Sequence, residues 1–186
     1  MAMGAEVYVA DEQQAVALEP GRYAELARRV LDAEGVRSET EVAVLFVDEA
    51  SIAELNARFL GRSGPTDVLA FPIDEEPPPG GRSPDEGGSG PGVPAGSSAE
   101  VPMLLGDVVV CPAVAERGAD EHGVSLEEEL SLLVVHGLLH LLGMDHEDEA
   151  EAERMERRER ELLARFSGAL QSSHGDDRRS DATPGS

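Results

Sequence analysis

From Leu126 to Leu142 the chain reads LEEELSLLVVHGLLHLL. At helical spacing its apolar residues Leu126, Leu130, Leu132, Leu133, Val134, Val135, Leu138, Leu139, Leu141 and Leu142 leave almost no polar side. Ser125-Leu-Glu-Glu128 ahead of them fits a capping box, which fixes where such a helix begins. A helix that is apolar all round has to be buried in the middle of its domain. The rest of the chain must therefore supply layers around it.

Those layers are legible in the alternating periodicities. Glu6–Ala10, Glu41–Val47, Val68–Phe71 and Leu104–Val110 read as strands. Arg22–Glu34 puts Tyr23, Leu26, Ala27, Val30 and Leu31 on one helical face, with Gly35 as its stop. Asp48 can cap a helix that carries Ile52, Leu55 and Phe59 inward. A last helix, Glu147–Phe166, has Met155, Leu162 and Phe166 as its inner stripe, and its Glu/Arg run reads as a solvated face. The expected fold is α+β (α/β-like): a single domain with helices and strands interleaved around one sheet and one buried central helix.

Residues 74–102 hold seven Pro and seven Gly in 29 positions, which reads as a disordered loop, and the polar stretch 167–186 reads as a frayed tail. The domain is thus expected over 1–166, interrupted by 74–102, and what remains is long enough for one core. A single Cys, Cys111, excludes an internal disulfide and reads as packing at a strand end. No stretch of about 18 apolar residues occurs, and the N-terminus lacks the order of a signal peptide. The expected setting is cytoplasmic, with no membrane partner.

The buried helix also carries the chemistry. Three of the five histidines, His136, His140 and His146, fall within eleven residues. His136 and His140 are i and i+4, so their rings leave one face a turn apart. Gly143 can turn the chain back by a left-handed conformation and bring His146 to the same place. Imidazoles on so apolar a helix are poorly satisfied without a partner, and ligation of a metal removes that cost. Three nitrogen ligands leave a tetrahedral zinc one position for water, as in catalytic sites. One Zn2+ per chain is expected. Zinc proteases with H-E-x-x-H use the Glu after the first His as base, but here that position is Gly137. Asp145 is either a base or a turn cap, so the spacing names no catalytic general base. His122 and His174 read as surface residues. Asp107, inside an apolar strand, is either a partner for a ligand His or an edge-facing residue. Thr66 and Asp67 read first as a turn, and second as part of a cleft.

His136-Gly-Leu-Leu-His140-Leu-Leu-Gly143-Met-Asp145-His146 resembles the metal signature of the YbeY-type endoribonucleases, the bacterial rRNA maturation factors. Gly64-Pro-Thr-Asp-Val-Leu-Ala-Phe-Pro72, Leu105-Gly-Asp-Val-Val-Val-Cys111 and Leu55-Asn56 extend the resemblance over about 41–166. It implies a mixed sheet with helices around it, with His136, His140 and His146 as metal ligands. The implied activity is a zinc-dependent, single-strand-specific endoribonuclease in 16S rRNA 3′-end maturation and ribosome quality control. Its implied partners are ribosomal RNA and the ribosomal subunit. Many members carry an Arg directly before the Gly matching Gly61, where this chain has Leu60. Arg62 is positioned to take over a phosphate contact, or is a solvated loop residue. Two further readings stand beside the nuclease: a zinc-stabilised ribosome-assembly factor with little catalysis, and a metalloprotease-like zinc hydrolase.

Charge limits how RNA can be held. The chain has 38 acids against 15 bases, all Arg, for a formal net charge of −23. The insert holds six acids and one Arg, so most of this charge stays in the ordered core. Nucleic acid rewards a basic surface, and only Arg58 and Arg62 lie near the expected cleft. Weak affinity for free RNA follows, with the strand presented by a ribosomal context.

Overall fold

A computed structural model describes residues 4–36, 39–73, 103–144 and 146–171, with side chains as far as Phe166. The insert 74–102, Asp145 and His174 lie outside the described residues. The elements run β1 (Glu6–Asp11), α1 (Pro20–Ala33), β2 (Thr40–Phe46), α2 (Glu49–Leu60), β3 (Val68–Pro72), β4 (Met103–Val110), α3 (Pro112–His122), α4 (Leu126–Leu141) and α5 (Glu149–Gln171). Among the described residues the strands form one mixed sheet in the order β1-β2-β4-β3. The first three are parallel, and β3 returns antiparallel to β4. The expected α+β architecture is the observed one.

Alternation decides what each face of the sheet covers. Thr40, Val42, Val44 and Phe46 of β2 are buried, and Val42, Val44 and Phe46 share a core with Val108, Val110, Leu26, Val30, Val134 and Leu138. On that face α1 packs on β1, α4 packs on β3 and β4, and α5 closes over α4. The opposite face forms a smaller cluster, where Ile52 of α2 meets Val47, Leu69, Val109 and Cys111. α4 is the buried helix that its sequence requires: Leu138, Leu139, Val134 and Val135 are fully buried. Each such side chain contributes about 1.5–3 kcal/mol by leaving water. No helix among the described residues is long and apolar enough to cross a membrane.

The capping box is complete. Ser125 Oγ accepts from the Glu128 N–H at 3.2 Å, and Glu128 Oε2 accepts from the Ser125 N–H at 2.9 Å. Hydrogen bonding to Ser125 holds the Glu128 carboxyl below its usual range. Ser125→Ala is expected to cost about 1 kcal/mol of stability, read as a lower midpoint in urea at unchanged slope.

Four expectations need correction. Phe59 does not face inward: it is 57% exposed and packs edge-on to Phe71, with ring centroids 5.2 Å apart. The helix α3 was not anticipated, because its buried apolar residues in the chain interior, Ala115 and Ala119, are too small to make a strong period. Its signal was Pro112 at the first turn, with Cys111 as the residue before it. Cys111 is buried as expected, and burial raises its thiol pKa. The backbone of α5 continues to Gln171, into the stretch read as a frayed tail. The acidic run on α5 is not wholly solvated, since Glu159 points inward and is buried.

Candidate metal centre

The end of α4 builds the site. Gly143 adopts φ +89°, its N–H donates to the His140 carbonyl at 3.0 Å, and the Met144 N–H donates to the Leu139 carbonyl at 3.0 Å. These two bonds close the helix with a left-handed turn and send the chain back over its last turn. His146 is thereby returned to His136 and His140. The ligand atoms of the three histidines lie within 4.8 Å of one another, with His136 and His140 half-buried and His146 exposed. His136 Nε2 and His140 Nε2 are 3.0 Å apart. A tetrahedral zinc with bonds of about 2.0–2.1 Å separates its nitrogen ligands by about 3.3 Å. Three imidazoles at this spacing are a donor set that can hold a divalent transition metal.

The backs of these residues are held as firmly as their fronts. Gly137 faces β4, where a Cβ would lie 2.5 Å from Val108 Cγ1. The side of α4 next to His136 is therefore pressed against the sheet. On the other side, His136 Nδ1 lies 2.5 Å from Glu159 Oε1 of α5. In the sequence Glu159 belongs to a charged run with the pattern of a solvated helix face. Its faint signal is its spacing of four from Met155 and three from Leu162, both buried on the inner stripe. Asp107 does not take this role. Gly106 approaches Leu141 and Val108 approaches Gly137, so alternation aims Asp107 away from α4. Nor is it on a sheet edge, because β4 runs between β2 and β3.

The histidines open onto a groove of about 1040 Å³ that is also lined by the chain from Leu60 to Pro72. Gly61 ends α2 in a left-handed conformation, and the Asn56 amide donates to the Gly64 carbonyl at 2.9 Å, fixing this stretch. Thr66 Oγ1 donates to Asp67 Oδ1 at 3.1 Å, and the Val68 N–H donates to the same oxygen at 2.8 Å. Both residues shape the turn, and both line the groove. Leu60 and Arg62 line it too, and Arg62 is its one cation among the described residues other than the histidines. Arg58 stands apart, with its guanidinium 5.4 Å from the Phe59 ring centroid. His122 is exposed as expected, and its Nδ1 lies 3.2 Å from Glu129 Oε2.

Comparison with known proteins matches this arrangement to one family. A family model described as Endoribonuclease YbeY matches residues 8–167. The chain is 49% identical over 139 residues to Endoribonuclease YbeY of Salinispora tropica, covering 75% of this chain and 82% of the relative. It is 43% identical over 150 residues to Endoribonuclease YbeY of Thermobifida fusca, covering 81% and 87%. The solution structure of TM1509 from Thermotoga maritima superposes with a TM-score of 0.51 at 26% identity, covering 92% of this chain and 99% of that one. With a matching family model over most of its length and relatives of this identity, the chain belongs to the YbeY endoribonuclease family.

Proposed function

We propose that the chain is a metal-dependent endoribonuclease that cuts single-stranded RNA, with one zinc held by His136, His140 and His146. The observation that carries this reading is the convergence of three imidazoles at one end of an open groove. A zinc bound there would supply a water ionised near neutral pH as the nucleophile. The chain's own residues do the rest. His136 and His140 hold one part of the lining at fixed spacing, and the Asn56 contact to Gly64 holds another. Arg62 offers a guanidinium to the scissile phosphate in the groove, where it also neutralises charge developing on the phosphoryl oxygens. The peptidase alternative lacks its base, and the close contact of Gly137 with Val108 leaves no space for one.

Within this reading the substrate is the 3′ end of 16S rRNA, presented on a ribosomal subunit in the cytoplasm, with a part in ribosome quality control. The acidic surface supports delivery by the ribosome rather than capture of free strands, given a net charge of −23. One or two contacted phosphates give a log–log salt dependence of about −1 for free RNA. Tight, salt-insensitive binding of a naked strand would contradict it. The decisive test is metal analysis of purified protein beside an RNA cleavage assay with and without chelator. One equivalent of zinc and chelator-sensitive cleavage are expected. Bound subunits with intact RNA would favour the assembly-factor alternative instead. Arg62→Ala is expected to lower kcat/KM by about 10- to 100-fold. Leu60→Arg, which adds a second guanidinium at the groove, is expected to raise it. If Arg62→Ala leaves kcat/KM unchanged, the phosphate contact is wrong.

A further inference from the structure

We propose that Glu159 is the positioning residue of the metal centre: it fixes the tautomer and ring orientation of His136 and thereby sets metal affinity. The proposal rests on the reading of the three histidines as metal ligands. Glu159 sits on α5, and the residue is 7% exposed. Its oxygen stands 2.5 Å from His136 Nδ1. A carboxylate can only accept, so Nδ1 carries the proton and Nε2 keeps its lone pair. That nitrogen is the one facing His140, 3.0 Å away. The hydrogen bond therefore presents the ligating atom to the site and keeps the ring from turning. A carboxylate behind the imidazole also makes it a stronger donor to a metal.

The surroundings show why a carboxylate can be kept there. Met155 and Leu162 bury α5 on either side of Glu159. Arg158, its neighbour, ties the helix to Glu34 at the end of α1 at 2.6 Å and pairs within α5 with Glu161 at 2.9 Å. A carboxyl group this buried is costly without a hydrogen-bond partner, and His136 is the partner the structure provides. α5 thus holds a carboxylate against the outer nitrogen of His136 without itself entering the groove.

Two measurements test this. In the first, zinc affinity is read by competition with a chromophoric chelator for wild type, Glu159→Gln and Arg158→Gln. Glu159→Gln keeps the shape and loses the charge, and is expected to bind zinc about 10- to 100-fold more weakly. Arg158→Gln loosens α5 and lowers the melting temperature, yet leaves affinity unchanged. In the second, long-range 15N spectra of the metal-free protein, at a pH where the rings are neutral, report which nitrogen of His136 is protonated. The expected result is Nδ1–H in wild type and a mixture of tautomers in Glu159→Gln. Equal zinc affinity in wild type and Glu159→Gln overturns the proposal, as does an Nε2–H tautomer of His136 in wild type. The latter needs no variant, so it holds even if Glu159→Gln fails to fold. Absence of zinc binding in wild type overturns the metal reading and the affinity claim with it. Nδ1–H in that same protein would still support the orienting contact.

Discussion

His140→Ala is expected to lose zinc and RNA cleavage together while keeping its fold. His140 is half-buried at the end of α4, and its imidazole lies 3.0 Å from that of His136. Its removal leaves two imidazoles, one of them exposed, and two nitrogen ligands do not make the closed three-ligand side of a catalytic zinc site. A metal that activates water is worth several kcal/mol of transition-state stabilisation, so cleavage should fall on the order of 10³-fold. The fold is independent of the ring. α4 starts from its own capping box and packs through Leu138, Leu139 and Val134, all fully buried. Far-UV circular dichroism should be unchanged, metal analysis should find less than stoichiometric zinc, and a single-stranded substrate should survive. Full cleavage by His140→Ala would show that the chemistry is elsewhere.

Gly137→Glu is expected to unfold the protein or nearly so, although it writes the sequence H-E-x-x-H of zinc peptidases into α4. A Cβ at this position would meet Val108 Cγ1 at 2.5 Å, Val108 Cγ2 at 3.1 Å and Val108 Cβ at 3.3 Å. Val108 is itself fully buried and β-branched, so it cannot swing away. Overpacking a core by one or two methylenes already costs about 1–3 kcal/mol, and here an unpaired carboxylate is added between helix and sheet. Against a typical total of about 5–15 kcal/mol, that leaves little or nothing. Gly137→Ala should show the steric part alone, as a loss of about 1–3 kcal/mol in urea unfolding. A stable Gly137→Glu with new peptidase activity would overturn the close packing of Gly137 on Val108.

The two experiments separate what these neighbouring positions do. His140 acts towards the groove and Gly137 towards the sheet, so one variant should lose chemistry without stability and the other stability first. Glu159 falls between them, since it is buried like a core residue and contacts His136. The order of effects on zinc affinity, His140→Ala far above Glu159→Gln and Arg158→Gln at none, would map the centre from its inner ligands outward.

Much of this was legible in the chain. The apolar run of α4, the Ser125 box and the left-handed turn at Gly143 follow from local physics: period, capping and glycine geometry. The i,i+4 histidines needed only helical spacing to share a face. The strand order β1-β2-β4-β3 was not legible, because pairing between strands depends on contacts distant in sequence. For the same reason Phe59 misled. Its spacing from Ile52 and Leu55 fits an inner stripe, but among the described residues no layer covers that end of α2, and it rests on Phe71 instead.

By itself the sequence determined a buried central helix with three histidines at its end and an alternation of strands and helices around it, since each element rests on a few neighbouring residues. Its motif resemblance also pointed to the family. Only the tertiary structure decided which partners complete the site. Glu159 reaches His136 because α5 packs across α4 with Met155 and Leu162 beneath it, at a separation of 23 residues. Asp107 is excluded because β4 presents it to the other face. A hydrogen bond between distant helices leaves no periodic trace in either, so a buried carboxylate in a charged run reads as solvated until the helix carrying it is placed.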